Sequence, residues 1–133
     1  MTANLNKKDQ GFIALLTILI VLGVVLLIGL SISQLSINEA QMALQKSQSS
    51  QAYYLASLCS ERALMALKED INYAGENVNI ENGNCTISAS GDLPAKIVGV
   101  KATFQNQIKK IKIVISQINP KMIIQSWQEM AEL

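Results

Sequence analysis

Few side chains in this 133-residue chain can carry out acid–base, nucleophilic or metal chemistry. The chain contains no histidine, which is the commonest general base and the commonest metal ligand in proteins. Its two cysteines, Cys59 and Cys85, cannot build a zinc site of four thiolates, or of two thiolates and two imidazoles. Serines are plentiful, but no histidine is present to activate them and no G-x-S-x-G sequence occurs. The composition therefore predicts a protein that is not an enzyme and that uses no cofactor or metal.

A basic run is the one cluster that could bind a charged partner. It consists of Lys109, Lys110 and Lys112, with Lys101 and Lys121 nearby in sequence. In a strand, Lys110 and Lys112 share the outward face, where a basic surface can contact phosphates. Lysines on an edge strand also discourage unwanted strand pairing, and no aromatic residue is interleaved with them for base stacking. The sequence therefore favours a solvated strand face over nucleic-acid binding.

The elements that position these side chains begin with a long apolar segment near the N-terminus. Residues 10–38 carry no charge, and residues 12–32 consist mainly of Ile, Leu and Val. Roughly 20 such residues span the hydrocarbon core of a bilayer as one helix. The sequence predicts a transmembrane helix over residues 12–32. Because Lys7 and Lys8 precede it, the positive-inside rule puts the N-terminus in the cytoplasm and the C-terminal domain outside the cell membrane.

The apolar segment is too long for a cleaved secretory signal, whose apolar region has about 7–15 residues before a small-residue cleavage site. No such cleavage site is formed by the small residues near its end, Ser31, Ser33 and Ser36. We therefore expect the helix to remain part of the mature protein.

The residues before the anchor carry a family resemblance. A leader with Lys7 and Lys8 ends in Gly11, and Phe12 opens the apolar run. This arrangement resembles the leader of type IV pilins and type II secretion pseudopilins. The resemblance implies that a prepilin peptidase removes residues 1–11 by cleaving after Gly11, and that Phe12 becomes N-methylated. It further implies a structural subunit of a membrane-rooted filament, whose partners are the membrane, the prepilin peptidase and other pilin-like subunits that pack along the N-terminal helix.

One position departs from the family pattern. The fifth residue of the mature chain is usually Glu, which pairs with the N-terminal amine of a neighbouring subunit. Here that position is Leu16, which cannot form the ion pair. This favours a minor pilin or pseudopilin over the abundant filament-building subunit. The alternative is an uncleaved, signal-anchored extracytoplasmic binding protein.

The helix is expected to continue well beyond the membrane. Residues 33–70 contain neither Gly nor Pro, so nothing breaks a helix there. We predict one helix from about residue 12 to about residue 70, within an extramembrane segment of residues 33–74. Two helices joined at residues 47–50 remain the alternative, because residues 46–51 are polar. Small side chains recur every three or four residues and allow a sheet to approach closely; they are Ala52, Ala56, Cys59, Ala63 and Ala66.

Residues 75–133 have the alternation typical of a small antiparallel sheet of three to five strands. Asn82-Gly83 predicts a type I′ hairpin turn, and Asn106-Gln107 predicts a second turn. Trp127 is expected in the core, where aromatic residues are usually buried. The predicted fold is α+β, a long N-terminal transmembrane α-helix packed against a small antiparallel β-sheet, which is similar to the pilin layout.

The two cysteines fit this arrangement. Cys85 shares a strand face with Ile87, and this face should meet the helix; Cys59 lies on the stripe of small residues. The sequence predicts a Cys59–Cys85 disulfide on the oxidising side of the membrane. Two buried free thiols are the alternative.

Overall fold

The computed structural model describes the backbone of residues 7–131 and the side chains of residues 10–131. One long helix is followed by five strands, so the predicted α+β fold is confirmed. The elements are α1 (Lys7–Glu69), β1 (Gly75–Ile80), β2 (Gly83–Ser90), β3 (Lys96–Phe104), β4 (Gln107–Gln117) and β5 (Ile123–Met130).

The helix α1 runs for 63 residues without a break, so the alternative of two helices joined at residues 47–50 is wrong. Its described part reaches back to Lys7, inside the predicted leader. It ends at Glu69, because Asp70 offers hydrogen-bond acceptors to the backbone N–H groups that follow. The Asn72 N–H donates to Asp70 Oδ1 at 2.9 Å, and the Tyr73 N–H donates to the Asp70 carbonyl at 3.1 Å. Such local bonds from Asp compete with the helical pattern and favour a turn.

The chain divides into two compact units at the boundary between Ala43 and Leu44. In the first unit the described chain is helix alone, and every residue from 10 to 43 is exposed. This helix is long and apolar enough to cross a membrane, with a mean hydropathy of 3.2 over its most apolar 18 residues. The second unit holds the rest of α1 and the whole sheet.

The sheet is an antiparallel meander in the order β1-β2-β3-β4-β5. Ile80 pairs with Gly83, so the first hairpin loop is Glu81-Asn82, and the predicted turn at Asn82-Gly83 is one residue out of register. Only Asn82 has a positive φ, 64°, whereas a type I′ turn needs two. Gly83 lies in the strand, where a Cβ would approach the Thr103 carbonyl oxygen to 3.0 Å.

The second predicted turn is displaced in the same direction. Phe104 pairs with Gln107, so the loop is Gln105-Asn106 rather than Asn106-Gln107. Gln105 takes the positive φ, 51°, that this two-residue loop requires. In both hairpins, cross-strand pairing sets the register, and pairing cannot be read from the turn residues alone.

The core lies between the C-terminal half of α1 and one face of the sheet. Small residues of the predicted stripe are fully buried, including Ala52, Ala56 and Ala63. They face a sheet whose largest buried side chains include Ile111, Ile113 and Ile115. The prediction for Trp127 is wrong. Its side chain shares a face with Ile113 but remains 40% exposed, because it lies on the edge strand β5.

Candidate membrane and assembly segment

The predicted processing site lies within α1. Gly11 is helical, and among the described side chains none lies within 4 Å of the position where a Cβ would be added. Glycine inside a helix costs about 0.5–1 kcal/mol relative to alanine, so the fold gains nothing from glycine here. The next residue, Phe12, is 67% exposed. Of the predicted leader, residues 1–6 lie outside the described residues, and Lys7 and Lys8 are described as helical backbone only.

The hydroxyl groups of the apolar segment form hydrogen bonds within the helix. Thr17 Oγ1 donates to the Ala14 carbonyl at 2.8 Å, and Ser31 Oγ donates to the Leu27 carbonyl at 2.8 Å. In hydrocarbon, each polar group left without a partner would cost several kcal/mol. The two hydroxyls of residues 12–32 therefore suit a bilayer or an apolar protein surface equally well.

Two further glycines shape the surface of this segment. Gly23 and Gly29 have nothing within 4 Å of an added Cβ, and neither has a positive φ. Missing side chains let a second helix backbone approach closely. Six residues apart, the two positions are separated by about 120° around the helix, so they open two different faces. Leu16 lies in the same apolar segment and is 44% exposed.

A disulfide joins helix and sheet in the second unit. Cys59 on α1 is bonded to Cys85 on β2, with a Cα–Cα distance of 6.7 Å and a sequence separation of 26. This confirms the predicted pair, and the alternative of free thiols is wrong. Both residues are buried, so the link runs through the core. Closing a loop of this length stabilises a domain by about 3 kcal/mol in the chain-entropy estimate.

A polar cluster also connects α1 to β1. The Arg62 guanidinium donates to both carboxylate oxygens of Glu76, and the Tyr73 hydroxyl donates to Glu76 Oε1 at 3.1 Å. The hydrogen bonds from Arg62 lower the pKa of Glu76. Burial, and then the bond to Glu76, raise the pKa of Tyr73 to about 12. Sequence reasoning missed this cluster because only the path of the turn at residues 70–74 brings Arg62 and Glu76 together.

A buried lysine holds the loop that follows the helix. Lys96, at the start of β3, is 8% exposed, and its Nζ donates to the Ile71 carbonyl. The bond connects the segment after α1 to an interior strand of the sheet. No motif marks Lys96 in the sequence, since its partner is a backbone atom.

The predicted basic run is divided between two sheet faces. Lys109 lies on the face of Ile111, toward the helix, and forms a 2.6 Å ion pair with Glu129. Lys110 and Lys112 lie on the other face, and Lys110 is paired with Lys101. Lys121 precedes β5. Lys109 therefore does not share a surface with Lys110 and Lys112.

No protein-family model, no curated protein and no solved structure matches this chain. The features that bear on its function are the apolar segment, the residues before it and the domain that follows. The resemblance to pilins remains a prediction drawn from the N-terminal residues.

Proposed function

We propose that this chain is a structural subunit, similar to a minor pilin or pseudopilin, of a membrane-rooted filament of the type IV pilus or type II secretion kind. The observation that carries the proposal is the exposed, uncharged surface of residues 12–32, which begins directly after Gly11. The described fold has room for a side chain at Gly11, so packing does not require glycine there, which fits a role in recognition by a prepilin peptidase.

Two features support a single-pass orientation in the cell membrane. Lys7 and Lys8 favour a cytoplasmic N-terminus. The Cys59–Cys85 disulfide requires an oxidising compartment, which fits a C-terminal domain outside the membrane. The two features lie on opposite sides of residues 12–32, so one crossing of the bilayer accommodates both.

Assembly in this proposal is a transfer of the apolar helix from lipid to protein. After cleavage, residues 12–32 leave the bilayer and pack against the same segment of other subunits. Small side chains at helix interfaces permit close approach in an apolar environment, and Gly23 and Gly29 offer this on two faces. Leu16 packs without an ion-pairing partner, which fits a subunit present in few copies.

Leu16 also supports the second candidate, an uncleaved signal-anchored binding protein that presents its α+β domain outside the cell. Such a protein needs no contact between N-terminal helices, and therefore no Glu at this position. Cleavage after Gly11 separates the two candidates.

The test is to express the full chain with a prepilin peptidase and to measure the intact mass and N-terminal sequence of the membrane-extracted protein. The proposal requires a chain that starts at Phe12 and is heavier by one methyl group. A chain that still starts at Met1 would overturn it and leave the anchored binding protein. Gly11→Leu is the matched control, because open space surrounds Gly11 and the fold should tolerate the change; this variant should remain uncleaved.

A further inference from the structure

We infer that the sheet face turned away from α1 binds the phosphate backbone of double-stranded nucleic acid through Lys101, Lys110 and Lys112. We call this surface the outer face. It consists of the residues of β2 to β5 that alternate with the buried core residues. The inference is independent of filament assembly, because it concerns only the sheet.

The three lysines are neighbours in the sheet. Lys101 on β3 lies directly opposite Lys110 on β4, and Lys112 follows on the same side of β4. Directly paired residues in an antiparallel sheet have Cα atoms about 4.5–5.5 Å apart, and alternate residues along a strand are about 7 Å apart. Like charges directly opposite each other destabilise a sheet. The outer face therefore bears a repulsion that binding of an anion would relieve.

No carboxylate offsets this charge on the outer face, as far as residues 10–131 are concerned. Glu76 and Glu129 lie on the helix-facing side, and each forms an ion pair there. Glu81 and Asp92 lie in the loops between strands. The described outer face is thus positive, with a charge of about three from its lysines.

Protection of a sheet edge does not explain these lysines. Edge strands often carry lysine to prevent pairing with other chains. However, β3 and β4 are interior strands, and the edge strands β1 and β5 contain no lysine. The structure thus excludes edge protection as the role of Lys110 and Lys112, which lie on the interior strand β4.

The neighbours of the lysines favour phosphate as the ligand group. Thr86 lies opposite Lys101, and Gln128 lies opposite Lys112. Hydroxyl and amide groups donate hydrogen bonds to phosphate oxygens, beside the charge supplied by lysine. No aromatic side chain lies on the described outer face, so it offers no platform for unstacked bases. A flat basic face without stacking groups fits the backbone of a duplex.

The test measures binding of the full chain, in nonionic detergent, to a fluorescent duplex DNA of about 30 base pairs by anisotropy at roughly 50 to 200 mM NaCl. Three phosphate contacts predict a slope of log K against log salt of about −2.7. The variant K101Q/K110Q/K112Q should lose at least about tenfold in affinity at 50 mM salt and bring the slope close to zero.

A matched control removes the same charge elsewhere. K46Q/K68Q/K121Q lies off the outer face, on α1 and before β5, and should retain the affinity and slope of the unmodified chain. If this control loses as much affinity as the outer-face variant, net charge alone explains binding and the inference fails. K110Q alone, which should reduce the slope by about one, serves if the triple variant does not fold.

Three other results would also overturn the inference. One is the absence of measurable duplex binding at 50 mM salt. Another is tighter binding to a single strand of the same sequence, which would indicate base stacking. The last is binding to phosphatidylglycerol vesicles that is as strong as binding to duplex DNA, or stronger, and that the outer-face variant loses. That result would show that the outer face binds a membrane surface.

Discussion

Arg62 on α1 and Glu76 on β1 are joined by two parallel hydrogen bonds, from Nε to Oε1 at 2.7 Å and from Nη2 to Oε2 at 3.0 Å. This forked geometry is the one that guanidinium and carboxylate groups match best. With Tyr73 bound to the same carboxylate, three groups close the turn by which the chain passes from the helix into the sheet.

The first prediction concerns acid stability. The pKa of Glu76 is lowered by the hydrogen bonds from Arg62, so the folded state holds this carboxylate in its charged form. Its contribution to stability is present above the ordinary carboxyl pKa of about 4 and is lost as the pH falls through the lower, folded-state pKa. Because the Arg62 side chain is 57% exposed, the effect should be small.

The measurement for this prediction is the unfolding midpoint between pH 2 and 6 (about two units around the carboxyl pKa) for the unmodified chain and for Glu76→Gln. The two should differ at pH 6 and converge toward pH 2. A difference that stays constant over this range would contradict the assignment.

The second prediction concerns Tyr73. Burial and the hydrogen bond to Glu76 raise its pKa to about 12, from an ordinary value of 10. The protonated hydroxyl of Tyr73 therefore contributes fully to the stability of the fold below pH 10, and this contribution is lost as the pH rises toward about 12. The difference in tyrosinate absorbance between the unmodified chain and Tyr73→Phe should have its midpoint near 12. A midpoint at the ordinary value would show that the hydroxyl is solvated.

The third prediction concerns the disulfide. Replacing both Cys59 and Cys85 by Ala should lower the free energy of unfolding of the domain by about 3 kcal/mol, because the unfolded chain is no longer constrained. Urea unfolding followed by circular dichroism measures this. The unmodified chain in excess reductant is the control and should approach the stability of the variant. A double variant as stable as the oxidised chain would refute the role of the bond.

The fourth prediction contrasts two glycines. Gly75 has a φ of 130°, and a Cβ there would lie 2.1 Å from the Ile87 carbonyl oxygen. Gly75→Ala should therefore destabilise the domain by about 1–3 kcal/mol or more. Gly23→Ala is the control, since nothing lies within 4 Å of its added Cβ and alanine is the better helix former. Thermal unfolding of both variants measures the difference in stability. An equal loss of stability in the two variants, or no loss in either, would contradict the prediction.

The fifth prediction follows from the proposed function. Gly23→Leu and Gly29→Leu should leave membrane insertion and the Cys59–Cys85 bond intact, because both positions are open in the chain itself. Each should reduce the amount of the protein recovered in sheared filaments, since close helix contacts would be blocked. Ile28→Leu is the volume-matched control. Equal recovery of all three variants would show that the two faces are not packed in a filament.

The fold was predictable where local patterns decide it. The helix follows from a stretch without Gly or Pro, and the strands follow from alternation, so the order of elements was foreseen. The pairing of Cys59 with Cys85 followed from their positions on a helical stripe and a strand face. The helix and the strands depend on the period of each element, and the disulfide on which face of its element each cysteine occupies.

The missed features all depend on contacts between distant segments. The first hairpin turn was placed one residue late because Gly83 lies in β2, close to Thr103 and Leu55, and not in the turn. The second was placed one residue late because Gln107 pairs with Phe104. The exposure of Trp127 follows from the place of β5 at the sheet edge. The link between Arg62 and Glu76, and the position of Lys101 opposite Lys110, emerge only once the register is known.

The order of the strands has a consequence for how the domain forms. Each strand after β1 pairs with the one that precedes it in the chain, so its partner is already present when it forms. Pairings between close segments need little loop-closure entropy and form quickly. A chain delivered from its N-terminus, as during synthesis, can therefore complete its sheet one strand at a time. At every stage two edges are open to pairing with another molecule, that of β1 and that of the newest strand.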